Sequence, residues 1–230
     1  EKGAWKKGAV PPSILDFNLL FPLELSTFAS LEAQAAAIAD DIAYDAHDID
    51  DGLRAGILTL DQLLEAPLIG GLLLQVRAAY PALEEGRVIG EVVRRQITVM
   101  VEDVVKEAAR KLDVLKPLTA QDVRHAPDAV ITFSKAMADT ETELKTWLYA
   151  HLYRHKSIMD KMNAAERAVE ELFEAYMAAP LEMSEGWREL MSGADRAAQA
   201  RNVSDFISGM TDNFALAEHA RLFDRKVELR

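Results

Sequence analysis

The apolar positions between residues 27 and 56 recur at helical spacing and predict the central helix of the protein. At about 3.6 residues per turn, four aliphatic side chains form one seam: Ile38, Ile42, Ile49 and Leu53. Serine and threonine precede this run within residues 26–30, where they are typical of a helix start. Gly56 follows the run and is a natural helix stop.

Most of the remaining chain shows the same periodicity, interrupted by prolines and glycines. The stretch 84–115 has no internal proline, which favours one long helix ending before Pro117. The pattern from Thr140 to Glu143 is typical of a capping box and predicts a helix start there. Only 129–133 could form a strand, and without a partner strand we expect an extended linker. Further helices are expected over 59–66, 68–80, 119–125, 140–179 with a bend near Lys156, 184–191 and 194–223.

These elements predict an all-α protein of roughly eight to ten helices. Residues 1–26 contain three prolines, and proline disfavours helix in the residue before it. We therefore expect an extended lead-in over 1–26 and a helical domain over 27–230. The long helix at 84–115 and the helices between 141 and 179 should pack around the central one.

The face of the central helix opposite the seam is acidic. It carries Asp40, Tyr44, His47, Asp48 and Asp51. Six aspartates stand between residues 40 and 51, although aspartate is a poor helix former. Polar stripes usually face water, but a solvated stripe normally pairs acids with Lys or Arg, and neither occurs between Thr27 and Leu53. The pattern therefore favours a bound cation or a hydrogen-bonding ligand.

Composition and charge narrow the classes of function. The net charge of −12 argues against a nucleic-acid surface, which needs clustered Lys and Arg. The absence of cysteine excludes disulfides and thiolate metal sites. No apolar run reaches the ~18 residues of a spanning helix, and the first residues lack a signal-peptide core. We expect a cytoplasmic protein that does not bind membranes, and a chain that is part of a longer polypeptide.

Three stretches resemble the deoxyguanosinetriphosphate triphosphohydrolase-like family of the HD-domain phosphohydrolases. They are the acidic helix from Glu32 to Gly56, the run Leu144-Lys-Thr-Trp-Leu-Tyr-Ala-His-Leu-Tyr-Arg-His155, and the run Asp205-Phe-Ile-Ser-Gly-Met-Thr-Asp212. The third is similar to a family run that more often has tyrosine where Phe206 stands. The resemblance implies the C-terminal portion of a multi-helix HD-type domain. It also implies cleavage of deoxynucleoside triphosphates, dGTP among them, to deoxynucleoside and inorganic triphosphate.

The resemblance implies roles for six residues. Asp40 matches the last ligand of a divalent metal ion such as Mg²⁺ or Mn²⁺, whose histidine and His-Asp ligands should lie upstream of this sequence. Tyr44 and Asp48 match the contacts with the deoxyribose, and Lys145 matches a contact with the phosphates. Tyr153 and Arg154 match a substrate-facing step. The family also commonly forms homo-oligomers.

Two departures from the family pattern concern the central helix. His47-Asp48 is a His-Asp dipeptide, but adjacent residues on a helix diverge by about 100°, and the resemblance aligns it with the sugar contacts rather than the metal pair. Asp45 stands where many relatives have asparagine. The other histidines are scattered along the sequence, which favours surface or core roles: His125, His151, His155 and His219.

Two classes of function follow. The first is a metal-dependent triphosphohydrolase in which this chain supplies Asp40 and part of the sugar pocket, but no other catalytic residue. It predicts that the face carrying Asp40, Tyr44 and Asp48 is open. The alternative is a noncatalytic helical module for oligomerisation or regulation, derived from the same family. It predicts that the same face is buried against a helix or paired with basic side chains.

Overall fold

The computed structural model describes residues 4–5 and 10–225. Within them the chain is all-α, as predicted, and it divides into two compact units, Glu1–Leu152 and Tyr153–Arg230. The first unit contains α1 (Pro12–Leu20), α2 (Leu31–Arg54), α3 (Ile69–Ala79), α4 (Glu85–Leu115), α5 (Ala120–Arg124) and α6 (Lys135–Leu148). The second contains α7 (Lys156–Ala178), α8 (Glu185–Met191), α9 (Arg196–Ser208) and α10 (Asp212–Phe223).

Short helical turns join some of these elements: 3₁₀ turns at Gln62–Glu65 and Pro180–Glu182, and a π turn at Tyr149–Tyr153. In the described ranges, no helix combines the length and apolar character needed to cross a bilayer.

The central helix α2 has the predicted limits. Ser30 caps its start, where the side-chain oxygen accepts a hydrogen bond from the Ala33 amide. Gly56, with φ of +66°, follows its end in the left-handed conformation that glycine adopts at little cost. The helix packs along α4, and Ile42 lies in a buried cluster with Met100 and Val104. The apolar seam of α2 is therefore the core face of the first unit.

The linker at 129–133 forms no strand, as predicted, and it bends at Val130 and Ile131. A buried amide side chain takes the place of a strand partner there. The Gln34 side-chain oxygen accepts hydrogen bonds from the Val130 amide at 2.8 Å and the Ile131 amide at 3.0 Å. The Lys111 ammonium donates to the Ala129 carbonyl at 2.9 Å. These contacts satisfy backbone groups that would otherwise be buried without partners.

Three boundaries differ from the sequence-based predictions. Helix α1 lies inside the segment 1–26 that was predicted to be extended, because Pro12 occupies the first helical turn, where a missing amide proton costs nothing. Helix α6 begins at Lys135 rather than Thr140, because Ser134 caps it by accepting from the Met137 amide. The helical region 194–223 is two helices, because Thr211 caps a new start after Gly209.

The second unit has a hydrophobic core of its own. Its buried members are Leu172, Tyr176, Met183, Met191, Val203 and Phe206. Helices α9 and α10 both pack on α7. Two polar contacts join α10 to α7. The Tyr176 hydroxyl donates to Glu218 at 2.7 Å, and the His219 Nε2 lies 2.6 Å from a Glu171 carboxylate oxygen. The residues 27–230 thus contain two cores, and their treatment as one domain stays a prediction.

Candidate functional site

Helix α2 presents the predicted acidic row to the surface of the first unit. Asp40 and Tyr44 are exposed, Tyr44 by 60%, and Asp48 is half-buried. Their spacing of four residues places the three side chains on one face of the helix. Tyr44 is therefore not a core tyrosine, and its ring is accessible to a ligand.

The first unit also places Lys145 on the surface of α6. Leu144 and Leu148 anchor that helix, because both are completely buried. The Lys145 side chain is 44% exposed and forms an ion pair with Glu141 one turn earlier. Burial lowers the pKa of Lys145, but the Glu141 hydrogen bond and the nearby Asp45 raise it by more, so the net shift is upward. Lys145 is therefore a persistently charged side chain that keeps access to solvent.

Asp45 is the residue that the sequence reasoning missed. It lies three residues after Ile42 and four before Ile49, in the middle of the apolar seam rather than on the acidic face. Only 1% of its surface is exposed. Within the described part of the chain, its Oδ2 atom has no hydrogen-bond partner. Its position relative to the two isoleucines was the signal that would have identified it.

Burial dominates the electrostatics of Asp45. It raises the pKa of the carboxyl group to about 6, because a charged carboxylate loses the solvation that water gives it. The positive charge of Lys145 acts in the opposite direction. Three further carboxylates raise the pKa: Glu141, Asp41 and Asp48. Asp45 and Lys145 thus influence each other electrostatically across the two helices.

A π turn follows α6 and carries part of the second resembling stretch. It spans Tyr149–Tyr153, and turns of this kind often occur at functional sites. Its Leu152 is buried next to α2: a Cβ on Gly52 would lie 3.1 Å from the Leu152 Cδ1 atom. Tyr153 is half-buried and Arg154 is exposed, and both belong to the second unit. Their predicted contact with a substrate stays a prediction.

Asp40 does not form a metal site with other described residues. Across residues 4–5 and 10–225, no group of three or more His, Asp or Glu is placed to hold a metal ion. Four of the histidines make separate local contacts: His125 with the Gln121 carbonyl, His151 with the Trp147 carbonyl, His155 with the Ser157 hydroxyl, and His219 with Glu171. These side chains do not supply the partners that a metal at Asp40 would need.

The third resembling stretch serves the core of the second unit. Phe206 is buried there and meets Tyr176 edge to face, with ring centroids 5.2 Å apart. Asp205, the residue before it, pairs with Arg201 at 2.9 Å on the surface of α9. This stretch therefore stabilises the unit through packing.

The fold and a domain match define the class of the protein. Residues 131–221, from the linker before α6 into α10, match the phosphohydrolase-associated domain. Together with the all-α architecture, this match agrees with the C-terminal portion of an HD-type fold.

Similar proteins identify the family within that class. A relative from Brucella ovis is 54% identical over 220 residues, which is 96% of this chain. One from Rhizobium etli is 50% identical over all 230 residues. Both are named deoxyguanosinetriphosphate triphosphohydrolase-like protein, and one from Mesorhizobium japonicum, 51% identical over 227 residues, has the same name with the number 1. This chain belongs to the deoxyguanosinetriphosphate triphosphohydrolase-like family.

The chain spans little more than half the length of these relatives. The matched regions cover 55% of the Brucella protein, 57% of the Rhizobium protein and 56% of the Mesorhizobium protein. The alignment includes α2 and α6, because it covers 96–100% of the chain.

Proposed function

We propose that the whole protein hydrolyses deoxynucleoside triphosphates such as dGTP to deoxynucleoside and inorganic triphosphate, and that α2 forms part of its site. The observation that carries this proposal is the row of Asp40, Tyr44 and Asp48 on a helix whose opposite face is the core of the first unit. Asp40 and Tyr44 are exposed, and Asp48 is half-buried. The family name of the relatives supplies the substrate class.

Each residue in the proposed site has a role that suits its chemistry. Tyr44 lays its ring against the deoxyribose, because an aromatic face binds the apolar side of a sugar. Asp48, one turn further on, accepts a hydrogen bond from the 3′-hydroxyl. Lys145 faces the phosphates as a compact positive charge. Tyr153 and Arg154 add further substrate contacts.

Asp40 contributes one carboxylate ligand to a divalent metal ion such as Mg²⁺ or Mn²⁺ in this proposal. Such an ion prefers oxygen ligands and, when bound, would polarise a phosphoryl oxygen. The described residues do not complete that site by themselves. Its remaining ligands would have to come from other parts of the whole protein.

The test is release of inorganic triphosphate by the full-length protein, with each deoxynucleoside triphosphate and a divalent metal. We expect Asp40→Ala to lower the rate by about 100-fold or more. Substitution of residues that only hydrogen-bond to metal ligands already lowers metal affinity or activity about 10–100-fold. The matched control is Asp50→Ala, which removes an aspartate of the same helix that pairs with Arg54 at 2.7 Å. It should retain near-normal activity. Equal losses in the two variants would contradict the role of Asp40.

The second candidate is a noncatalytic helical module that assembles with further copies of the chain. The observation that favours it is α1, in which no residue is buried and Leu19 and Leu20 are 83% and 85% exposed. The same assay separates the two candidates. A full-length protein that is inert with every nucleotide and metal supports the module, and triphosphate release supports the hydrolase.

A further inference from the structure

Asp45 is a buried carboxylate, and in the described part of the chain the cation near it is an accessible lysine. It is 1% exposed, and its Oδ2 atom has no hydrogen-bond partner in the described ranges. Burying a carboxylate without a partner is costly, so a residue of this kind needs a compensating charge. The cation that acts on Asp45 is Lys145.

Two contacts place the two ends of α6 near α2. Met137, in the first turn of α6, packs against the cluster that contains Ile42. Leu152, just after the end of α6, lies beside Gly52. Asp45 and Lys145 both lie between these contacts in their own helices. The electrostatic coupling of the two side chains agrees with this alignment.

The neighbourhood of Asp45 is strongly acidic. The charged groups that act on it are Asp41 and Asp48 on α2, and Glu141 and Lys145 on α6. Three of these carboxylates also act on the Lys145 ammonium group: Glu141, Asp45 and Asp41. The lysine is held by Glu141 from its own helix and attracted by Asp45 from the neighbouring helix. A charge held from two directions has less freedom to turn into solvent.

We propose that Asp45 is a positioning residue that draws the Lys145 ammonium toward α2 and so fixes the orientation in which it meets an anionic ligand. Glu141 supplies the second contact, and the exposed part of the lysine remains available. Asp45 itself is buried, and it acts only through Lys145. That the anionic ligand is the triphosphate of a deoxynucleotide rests on the proposed function.

The first experiment measures the chemical reactivity of Lys145 without any substrate. Trace acetylation of the full-length protein across pH 7–10, read by mass spectrometry, reports the free-amine fraction and access of each lysine. We expect Asp45→Asn to increase the acetylation rate of Lys145 about threefold or more, because loss of the neighbouring negative charge lowers the pKa of the lysine and raises its free-amine fraction. Asparagine keeps the shape of the side chain, so the core should still form.

The controls separate positioning from a general effect of charge. Asp50→Asn removes the same charge from the same helix, but its partner is Arg54, so Lys145 should react at the wild-type rate. Lys106, which pairs with Glu102 on α4, is the internal reference. An unchanged Lys145 rate in Asp45→Asn, or an equal increase in Asp50→Asn, overturns the proposal.

The second experiment uses nucleotide hydrolysis and a double-mutant cycle. Asp45→Asn should raise KM about tenfold with a smaller change in kcat, and it should have no further effect in a Lys145→Met background. Additive losses would mean that Asp45 acts independently of Lys145, which overturns the proposal. If the protein hydrolyses no nucleotide, the proposed function fails, while the acetylation result still decides the role of Asp45.

Discussion

A single side chain, Asp45, shows how its surroundings change the chemistry of a residue. Its neighbours Asp41 and Asp48 carry the same functional group on the same helix, but both are half-buried, whereas Asp45 lies in the core. Burial raises the pKa of Asp45 to about 6, because the charged form loses its hydration. An ordinary aspartate titrates near pH ~4. Asp45 therefore changes its charge near pH 6, within the pH range of ordinary protein measurements.

This pKa predicts a pH-dependent stability difference between the wild type and Asp45→Asn. Between about pH 4 and pH 6 the folded state binds the Asp45 proton more tightly than the unfolded state, so this group's stabilisation is lost as pH rises. Across this range of pH, the contribution of Asp45 to the free energy of unfolding falls by about 3 kcal/mol. Asparagine does not titrate. The free energy of unfolding of the variant should therefore improve relative to wild type by up to that amount from pH 4 to pH 7.

Urea unfolding of the two proteins at pH 4, 5, 6 and 7 measures this difference directly. Other carboxylates titrate in both proteins and cancel in the comparison. Asp50→Asn removes an aspartate of the same helix that pairs with Arg54 and serves as the control for the loss of a carboxylate. A stability difference for Asp45→Asn that stays constant with pH would mean that Asp45 has an ordinary pKa in the folded protein.

At the scale of elements, the start of α3 depends on a close approach that only glycine permits. Gly70 is buried in the first turn of α3, next to the 3₁₀ turn Gln62–Glu65. A Cβ at this position would lie 2.8 Å from the Leu64 carbonyl carbon and closer still to its oxygen. Backbone atoms cannot rotate away as a flexible side chain can. The two elements therefore pack directly, backbone against backbone.

Gly70→Ala should destabilise the protein by roughly 1–3 kcal/mol, because the added methyl group overpacks the contact with Leu64. Gly71→Ala is the matched control: it is the next residue of the same helix, is exposed, and has no atom within 4 Å of the added Cβ. It should stabilise the protein by about 0.5–1 kcal/mol through better helix propensity. Thermal or urea unfolding measures both. Equal effects of the two substitutions would rule out the close packing of Gly70.

At the scale of the whole molecule, the chain holds two cores and leaves one apolar helix uncovered. The first unit is built on α2 and α4, and the second on α7 and α9. Helix α1 belongs to the first unit but exposes most of its apolar side chains, with Phe17 at 53% and Leu20 at 85%. Water in contact with such a surface favours its burial against another apolar surface.

We expect Leu20→Ser to weaken self-association of the full-length protein, because it removes the most exposed apolar side chain of α1. Burial of one leucine side chain in an interface contributes about 1.5–3 kcal/mol to the free energy of association, which is tenfold or more in the dissociation constant. Leu118→Ser is the matched control, since Leu118 is 93% exposed but lies after α4, away from α1 in the sequence. Sedimentation velocity over a range of concentrations measures both. If the two variants assemble like the wild type, α1 is not the association surface.

The sequence by itself determined the helical class, the limits of α2 and α4, and the placement of Asp40 and Tyr44 on one face of α2. These features are local, since helical periodicity, caps and the stop at Gly56 act within a few residues of chain. The linker at 129–133 was predicted for the same reason. The family also followed from the sequence, because each resembling stretch is one contiguous run of residues.

Tertiary structure decided what depends on residues far apart in the chain. The spacing of Asp45 from Ile42 and Ile49 already indicates its place in the apolar seam, but its electrostatic coupling to Lys145 depends on the packing of α6 near α2. The start of α6 moved to Lys135 because Ser134 is held by Asp103, whose carboxylate accepts from the Ser134 amide at 2.8 Å. The Ser134 cap is a local signal, but its hydrogen bond with Asp103 depends on how α4 packs near the start of α6, and the sequence of either segment does not specify that packing.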